Sequence, residues 1–122
     1  MSTSAAHVAA FYRESVREEA VWAIRDAGGF PSPSTPAGYR AMPFWSSRTR
    51  AEKVILTVPA YEGFVPVEIA LGDFRSRWLP GLERDGIRVG LNWAGTAASG
   101  YDLTAREVEE NLGHAAGRGS AD

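Results

Sequence analysis

Two groups of polar side chains are placed where this chain could bind a charged partner. The first is the run Trp45-Ser46-Ser47-Arg48, followed by Arg50, where a strand passes into a helix. The first backbone amides of a helix have no partner within it, so they can bind an anion together with the serine hydroxyls. Arginine in a first helical turn opposes the helix dipole, so local stability does not require it there. The run predicts a site for an anion or an acidic partner, unless a serine simply caps the helix and the arginines face solvent or pair with Glu52.

The second group consists of Glu68, Arg88 and Asn92, which alternate with apolar residues on two later strands. If the apolar residues face the helices, these three side chains share the other face of the sheet. Either Trp22 with Ile24, or else Val21 with Ala23, would join them there. A half-polar face with an aromatic residue is typical of a protein-binding surface. It is equally consistent with a solvated antiparallel face, or with one that the first or last helix covers.

The sequence contains no assembled catalytic or metal-binding motif. Its two histidines, His7 and His114, lie near opposite ends and have no partner at ligand spacing. The absence of cysteine removes thiolate metal sites and cysteine nucleophiles. Neighbouring carboxylates at Glu107, Glu109 and Glu110 are explained by the preference of acids for the start of a helix. We therefore predict no catalytic residue, no metal site and no cofactor, and leave open whether the protein is an enzyme.

Length and composition indicate one domain. A division of the 122 residues would leave two cores too small to be stable, whereas a hydrophobic fraction of 44% is ample for one. We expect a single domain over residues 1–122, with an ordered core over about 4–113 and a flexible tail over 114–122.

Charge and hydropathy favour a cytoplasmic protein without a nucleic-acid or membrane partner. The formal net charge is −2, whereas proteins that bind phosphate backbones usually carry a positive excess. No apolar stretch approaches the ~20 residues of a membrane span, and no charged leader precedes an apolar run at the N-terminus. The lack of cysteine fits a reducing compartment. A protein partner is possible, and the oligomeric state stays open.

Hydrophobic periodicity predicts the elements that must position these side chains. A helix is predicted over residues 4–16, and a strand over 19–26 leads to Gly28-Gly29. Paired glycines permit the positive φ of a tight hairpin, so we expect Phe30 to begin a return strand. A proline-rich loop separates it from the next strand, over residues 39–45, in which Pro43 indicates an edge position or a bulge.

The second half predicts a helix from Ser46-Ser47 and then a strand–helix–strand block. Alternating apolar residues of the two strands are expected to face the helices, and they are Val65, Val67, Ile69, Leu71, Ile87, Val89, Leu91 and Trp93. The intervening helix carries the stripe Phe74, Trp78 and Leu82, and we expect it to end near Leu79, with Pro80 at the first position of a new turn. A brief strand over residues 101–103 and a capping box from Thr104 to Glu107 lead into a terminal helix.

Three segments of the chain, residues 21–30, 41–52 and 66–93, together resemble the small bacterial family catalogued as domain of unknown function 2750. The most specific part of the likeness is the run from Trp78 to Leu82, Trp-Leu-Pro-Gly-Leu, with Asp85-Gly86 after it. The likeness extends from about Val8 to Leu112, while the proline-rich loop and the glycine-rich tail depart from the pattern. The resemblance implies a single α+β domain of bacterial origin, and it implies no reaction, cofactor or catalytic residue.

We predict an α+β fold with a mixed or mostly antiparallel sheet of about five strands and three to four helices packed mainly on one face. The favoured function is a non-enzymatic protein-binding module of the immunity, adaptor or regulatory type. The alternative is a small-anion or metabolite-binding protein, or an enzyme, that uses the helix start at Ser46 to Arg50 with Arg88 or Glu68 nearby. Whether Trp22 and Trp45 belong to the core or to the surface is left open.

Overall fold

A computed structural model describes the chain over residues 3–120, with side chains over 4–117. The elements in chain order are α1 (Thr3–Glu18), β1 (Ala20–Arg25), β2 (Ala41–Phe44), α2 (Arg48–Thr57), β3 (Val65–Ala70), α3 (Leu71–Asp73), a π-helical segment (Phe74–Trp78), α4 (Leu79–Asp85), β4 (Arg88–Leu91), β5 (Asp102–Leu103) and α5 (Ala105–Ser120). The fold is α+β, as the sequence predicts, and the five described strands include both parallel and antiparallel pairs.

The five strands form two sheets rather than one, which corrects the prediction of a single sheet. Antiparallel β1 and β3 make the first sheet, and the second has the order β2-β4-β5, with β2 parallel to β4. The sheets are joined by one pair of hydrogen bonds, in which Trp22 N and Trp45 N each donate to the other's carbonyl, at 2.7 and 2.8 Å.

Pro43 explains why this bridge does not grow into a continuous sheet. Arg88 N donates to Arg40 O and Asn92 N donates to Phe44 O, so alternate residues of β2 bond to β4. Pro43 and Trp45 alternate with these residues and direct their backbone groups towards β1. After the Trp22–Trp45 pair, the next bond would need an N–H at Pro43, and proline has none. The predicted edge role of Pro43 is therefore confirmed.

The predicted hairpin is only half right. Asp26 and Gly29 close a tight turn with bonds of 3.1 and 3.2 Å, and Gly29 has a φ of 108°. However, Phe30 does not begin a return strand, because the prolines at positions 31 and 33 cannot donate to a ladder. The partner of β1 is β3, far along the chain, in a register that sets Trp22 opposite Glu68.

Helices cover both faces of the first sheet, so the prediction of helices mainly on one face is also wrong. Val21 and Ala23 enter the main core, whose largest buried members are Phe11, Phe44, Phe74, Leu91 and Leu112. Trp22 and Ile24, on the opposite face of β1, pack in a second cluster with Trp45 and with the α2 residues Ala51 and Val54. The face that was expected to be open, or covered by the first or last helix, is covered by α2. Trp45 is fully buried and Trp22 is half-buried.

The helix after β3 does not break at Pro80. Helical structure is continuous over residues 71–85, and Leu79 N donates to Phe74 O, five residues back. A π turn widens the helix, so the ring and the missing N–H of a proline are accommodated without the end that we expected near Leu79. The predicted stripe is confirmed, since Phe74 and Leu82 are buried and Trp78 packs edge-on against Phe44, with centroids 5.8 Å apart.

Two ends of elements also differ from expectation. Val65 is 54% exposed because β3 begins opposite Arg25, beyond the core, and Leu71 belongs to α3 rather than to the strand.

The capping box is confirmed, since Glu107 N donates to Thr104 Oγ1 at 3.1 Å and Thr104 N donates to Glu107 Oε1 at 2.9 Å. The backbone of α5 continues to Ser120. Residues 121–122 of the predicted tail lie outside the described residues, and its flexibility stays a prediction.

Candidate functional site

The described structure brings four polar residues together where β2 and β4 end, and we call Glu14, Ser46, Arg50 and Asn92 the Ser46 network. Asn92 follows β4 with a φ of 52°, a left-handed conformation that asparagine tolerates better than most residues. Its Oδ1 accepts from Ser46 N at 2.9 Å, and its Nδ2 donates to Ser46 Oγ at 2.9 Å and to His7 O at 3.1 Å. One buried amide thus connects β4, the start of α2 and α1.

Glu14 on α1 completes this network and was not predicted from the sequence. Arg50 donates to both carboxylate oxygens, through Nε and Nη2 at 3.0 Å each, and Ser46 Oγ donates to Oε1 at 2.7 Å. The bonds from Arg50, above all, lower the pKa of Glu14 to about 2. A signal was available in the sequence, because Glu14 lies three residues after Phe11 and so falls beside the apolar stripe of α1.

The Ser46 network changes the interpretation of the α2 start as an anion site. The carboxylate of Glu14 already lies against Ser46 and Arg50, where a bound anion was expected. Ser46 is fully buried, and Glu14 is ionised at neutral pH, so neither presents a nucleophile or a proton donor to solvent. The arrangement is suited to holding α1 and α2 against the strand ends.

The other two residues of the predicted run have local roles. Ser47 caps α2, with its Oγ accepting from Arg50 N at 3.2 Å. Arg48 donates to Glu52 at 2.9 Å, and its guanidinium lies 5.6 Å from the ring centroid of Trp22. A helix cap at serine and a pair between Arg48 and Glu52 are what the alternative to an anion site predicted. Arg48 lies on the side of α2 away from the Arg50 side chain.

Glu68, Arg88 and Asn92 do not share a face, because β3 and β4 belong to different sheets. Glu68 is exposed on β3. Arg88 pairs with Asp102 at 2.6 Å and lies 5.0 Å from the ring centroid of Tyr39. The predicted assembly of Arg88 or Glu68 with the α2 start is therefore absent, while Trp45, Ser46, Arg50 and Asn92 do come together.

Beside the Ser46 network lies a cleft of about 310 Å³, which we call the α2 cleft. Its polar lining comes from His7 on α1, Arg50, Lys53 and Thr57 on α2, and Asn92 and Thr96 after β4. Trp45, Val54 and Trp93 supply apolar surface, and the indole of Trp45 donates to Trp93 O at 2.8 Å. Positions 50, 53 and 57 lie on one side of α2 because they are three and four residues apart.

Two further cavities are mainly apolar. One of about 420 Å³ lies between the proline-rich loop, Tyr61 and residues 97–100, and one of about 250 Å³ lies between α4 and α5. Over the described residues, no three histidine, aspartate or glutamate side chains are grouped as a metal ion would require. None of the described helices has the length and apolar character needed to cross a bilayer.

Comparison with known proteins identifies a family over most of the chain. The model of the family described as "Protein of unknown function (DUF2750)" matches residues 8–112. The matched region includes the Ser46 network, β3 and both sheets. No curated protein and no solved structure matches the chain.

Proposed function

We propose that this chain, which belongs to the DUF2750 family, is a small non-enzymatic protein-binding module that adds an extended segment of a partner protein to the free edge of β3. The family description assigns no function, so the geometry must support the proposal. The observation that carries it is that β3 pairs with β1 on one side and has an exposed edge on the other.

The backbone groups at this edge follow from the hydrogen-bond pattern. Leu71 N donates to Glu19 O at 3.0 Å, so every second residue back from Leu71 bonds to β1. The residues between them, Pro66, Glu68 and Ala70, direct their backbone groups away from β1. The outer edge therefore offers the N–H groups of Glu68 and Ala70 and the carbonyl groups of Pro66 and Glu68, and both Glu68 and Ala70 are exposed.

On each of the other described strand edges, at least one outward backbone group has a partner. Ala41 N on β2 donates to Pro33 O at 3.0 Å, and Trp45 is bonded to Trp22. On β5, Arg88 Nη2 donates to Asp102 O at 3.0 Å. An uncovered edge is a template for pairing with another chain, and proteins normally blunt such edges, so the exposure of β3 favours a binding role.

The side chains around the edge indicate the chemistry of the partner. Val65 on β3 is 54% exposed. Glu68 favours a basic residue directly opposite it. Pro66 has no N–H to contribute to the outer edge, which limits pairing to a short segment and opposes unselective association. A partner strand with apolar residues and one lysine or arginine fits these features.

Substitutions at Glu68 test the proposal. Glu68→Pro removes an outward N–H, whereas Glu68→Ala removes the carboxylate and keeps the N–H. The chain serves as bait in a native lysate of its source, and a partner recovered in stoichiometric amount is then purified and titrated calorimetrically against each variant. We expect Glu68→Pro to weaken binding about tenfold or more, equivalent to about 1.4 kcal/mol, and Glu68→Ala to weaken it less.

Two results would reject the proposal. One is that repeated captures return no stoichiometric partner. The other is that a recovered partner binds Glu68→Pro as tightly as the wild type, with thermal melting showing that the variant is folded.

A further inference from the structure

We infer that the α2 cleft is a binding site for a small organic oxyanion, a carboxylate or phosphate attached to an apolar body. This inference is independent of the β3 edge. It also differs from an anion site at the α2 start, because the ligand would lie along the side of α2, in a cavity that the Ser46 network adjoins but does not fill.

The charged side chains that line the α2 cleft favour an anionic ligand. Among the described residues, the ionisable side chains around the α2 cleft are His7, Arg50 and Lys53, and no aspartate or glutamate lines it. This one-sided lining occurs in a chain whose formal net charge is −2. Lys53 forms no ion pair with a described acidic side chain. An ammonium group at the mouth of a cavity without acids attracts an anion.

Arg50 can still donate hydrogen bonds to a ligand, although the carboxylate of Glu14 neutralises its charge. A guanidinium has five N–H donors, and Glu14 occupies the one at Nε and one at Nη2. The donors that remain are held in a fixed direction, because the bidentate pair with a half-buried carboxylate prevents rotation of the side chain. Glu14 is therefore a positioning residue, and Arg50 contributes directed hydrogen bonds more than net charge.

The remaining lining explains the preference for an organic ligand over a bare ion. Trp45, Val54 and Trp93 form apolar surface, and Thr96 adds a hydroxyl group, whereas the hydroxyl of Thr57 donates to Lys53 O at 2.7 Å. The volume of about 310 Å³ lies at the lower end of the range for small-molecule sites, which are typically apolar clefts with a few directed polar groups. An oxyanion at Lys53 and Arg50 would leave the apolar surface for the body of the ligand.

The loop that closes the cleft has an unusual backbone. Asn92, Gly95 and Ala98 have φ values of 52°, 83° and 47°, so three of seven consecutive residues are left-handed. For alanine this conformation is unfavourable and persists where the surroundings impose it, as they often do beside ligand sites. The bond from Ala98 N to Gly95 O, at 3.0 Å, holds Thr96 in a tight turn at the cleft.

Nuclear magnetic resonance titration of the full chain with phenyl phosphate, benzoate and benzamide tests the inference. The first two probes are oxyanions on an apolar ring, and benzamide is their neutral counterpart. We expect both anions to shift the backbone amide resonances of Lys53 and Thr96 and the indole N–H resonance of Trp93, and benzamide to bind at least about tenfold more weakly.

Two exposed residues of α2 provide the matched variants. Lys53→Gln removes the ammonium group from the cleft and should weaken the better anion about tenfold. Arg48→Gln removes an equal charge from the side of α2 that faces Trp22 and Glu52, and should leave the affinity within about threefold, because exposed charges at a distance are screened. The inference is overturned if the anions shift no cleft resonance at millimolar concentration, if benzamide binds as well, or if both variants lose affinity equally.

Discussion

The carboxylate of Glu14 on α1 receives two hydrogen bonds of 3.0 Å from the guanidinium of Arg50 on α2, thirty-six residues away. This contact connects two helices that pack on different clusters of the core. It also places a negative charge inside the molecule at the point where the sequence alone suggested that an external anion could bind.

The Glu14–Arg50 contact makes a pH-dependent contribution to stability. The pKa of Glu14 is lowered from 4.5 to about 2, which is worth at most about 3 kcal/mol of unfolding free energy at neutral pH. Because the folded-state pKa is the lower one, this stability is fully present above about pH 4.5 and is lost as the pH falls towards 2. We expect Glu14→Gln to be destabilised by about 1–3 kcal/mol at pH 7, and by less at about pH 3, in urea unfolding.

Glu52→Gln is the matched control for this experiment. It breaks the exposed pair with Arg48 and should cost less than about 1 kcal/mol at either pH. A difference between Glu14→Gln and the wild type that is the same at both pH values would contradict the assignment of the lowered pKa to Glu14.

Asn92 should be one of the least replaceable residues. Asn92→Ala would leave the buried groups of Ser46, and the carbonyl of His7, without their partners, and would place alanine at a φ of 52°. We expect a loss of about 2–4 kcal/mol of unfolding free energy. Asn92→Gly loses the same hydrogen bonds without the backbone strain, so it should be about 1 kcal/mol more stable than Asn92→Ala. Equal stability of the two variants would show that the left-handed backbone carries no strain.

Gly90 should not tolerate a methyl group. A Cβ at this position on β4 would overlap the indole ring of Trp93, which is itself held by a bond from Nε1 to Tyr101 O at 2.9 Å. We expect Gly90→Ala to lower the unfolding free energy by about 1–3 kcal/mol, since a packed core cannot move aside. Gly72→Ala is the control, because a Cβ there meets nothing within 4 Å and the residue is helical, so that variant should gain up to about 1 kcal/mol. Thermal melting of both variants measures the two changes in stability. Equal melting temperatures for Gly90→Ala and Gly72→Ala would refute the clash with Trp93.

Ser15 offers a stabilising substitution. Its Oγ is buried on α1 and has no hydrogen-bond partner among the described residues. A buried hydroxyl without a partner retains the cost of leaving water, so Ser15→Ala should raise the unfolding free energy by about 1 kcal/mol. Chemical denaturation measures the change, and a loss of stability would mean that the hydroxyl has a partner in solution.

Pro66 should limit self-association through the β3 edge. Pro66→Thr supplies an outward N–H at the exposed edge, and we expect the variant to show a larger average mass than the wild type in light scattering at high concentration. Pro36→Thr, in an exposed loop, removes a proline without lengthening a strand edge. An unchanged mass for Pro66→Thr would show that this proline does not guard the edge.

Local patterns predicted most elements correctly. The alternation from Val65 onwards, the stripe of Phe74, Trp78 and Leu82, and the Thr104 capping box each express a contact within a few residues, and each element formed. The wrong predictions concern which strands pair when they are far apart in the sequence. Gly28-Gly29 makes its turn, yet nothing near it shows that β1 will pair with β3 rather than with the segment after Phe30.

The candidate site likewise contains residues that local patterns predicted and residues that depend on distant pairing. The sequence analysis predicted Trp45, Ser46, Arg50 and Asn92 as candidate site residues, because strand ends and helix starts can be located from local sequence patterns. Glu14 was not predicted, and Glu68 and Arg88 were expected nearby and are not, because their positions depend on which strands share a sheet.

The amino-acid sequence by itself determined the α+β class, the order of most helices and strands, the family and the cap at Ser47, since each depends on neighbours along the chain or on a run of residue types. Only the tertiary structure decided that the described strands form two sheets, that none of them pairs with the outer edge of β3, and that the anion beside Arg50 is the protein's own Glu14. The physical reason is that strand pairing and charge pairing join residues tens of positions apart, and the choice among possible partners depends on the packing of the whole core.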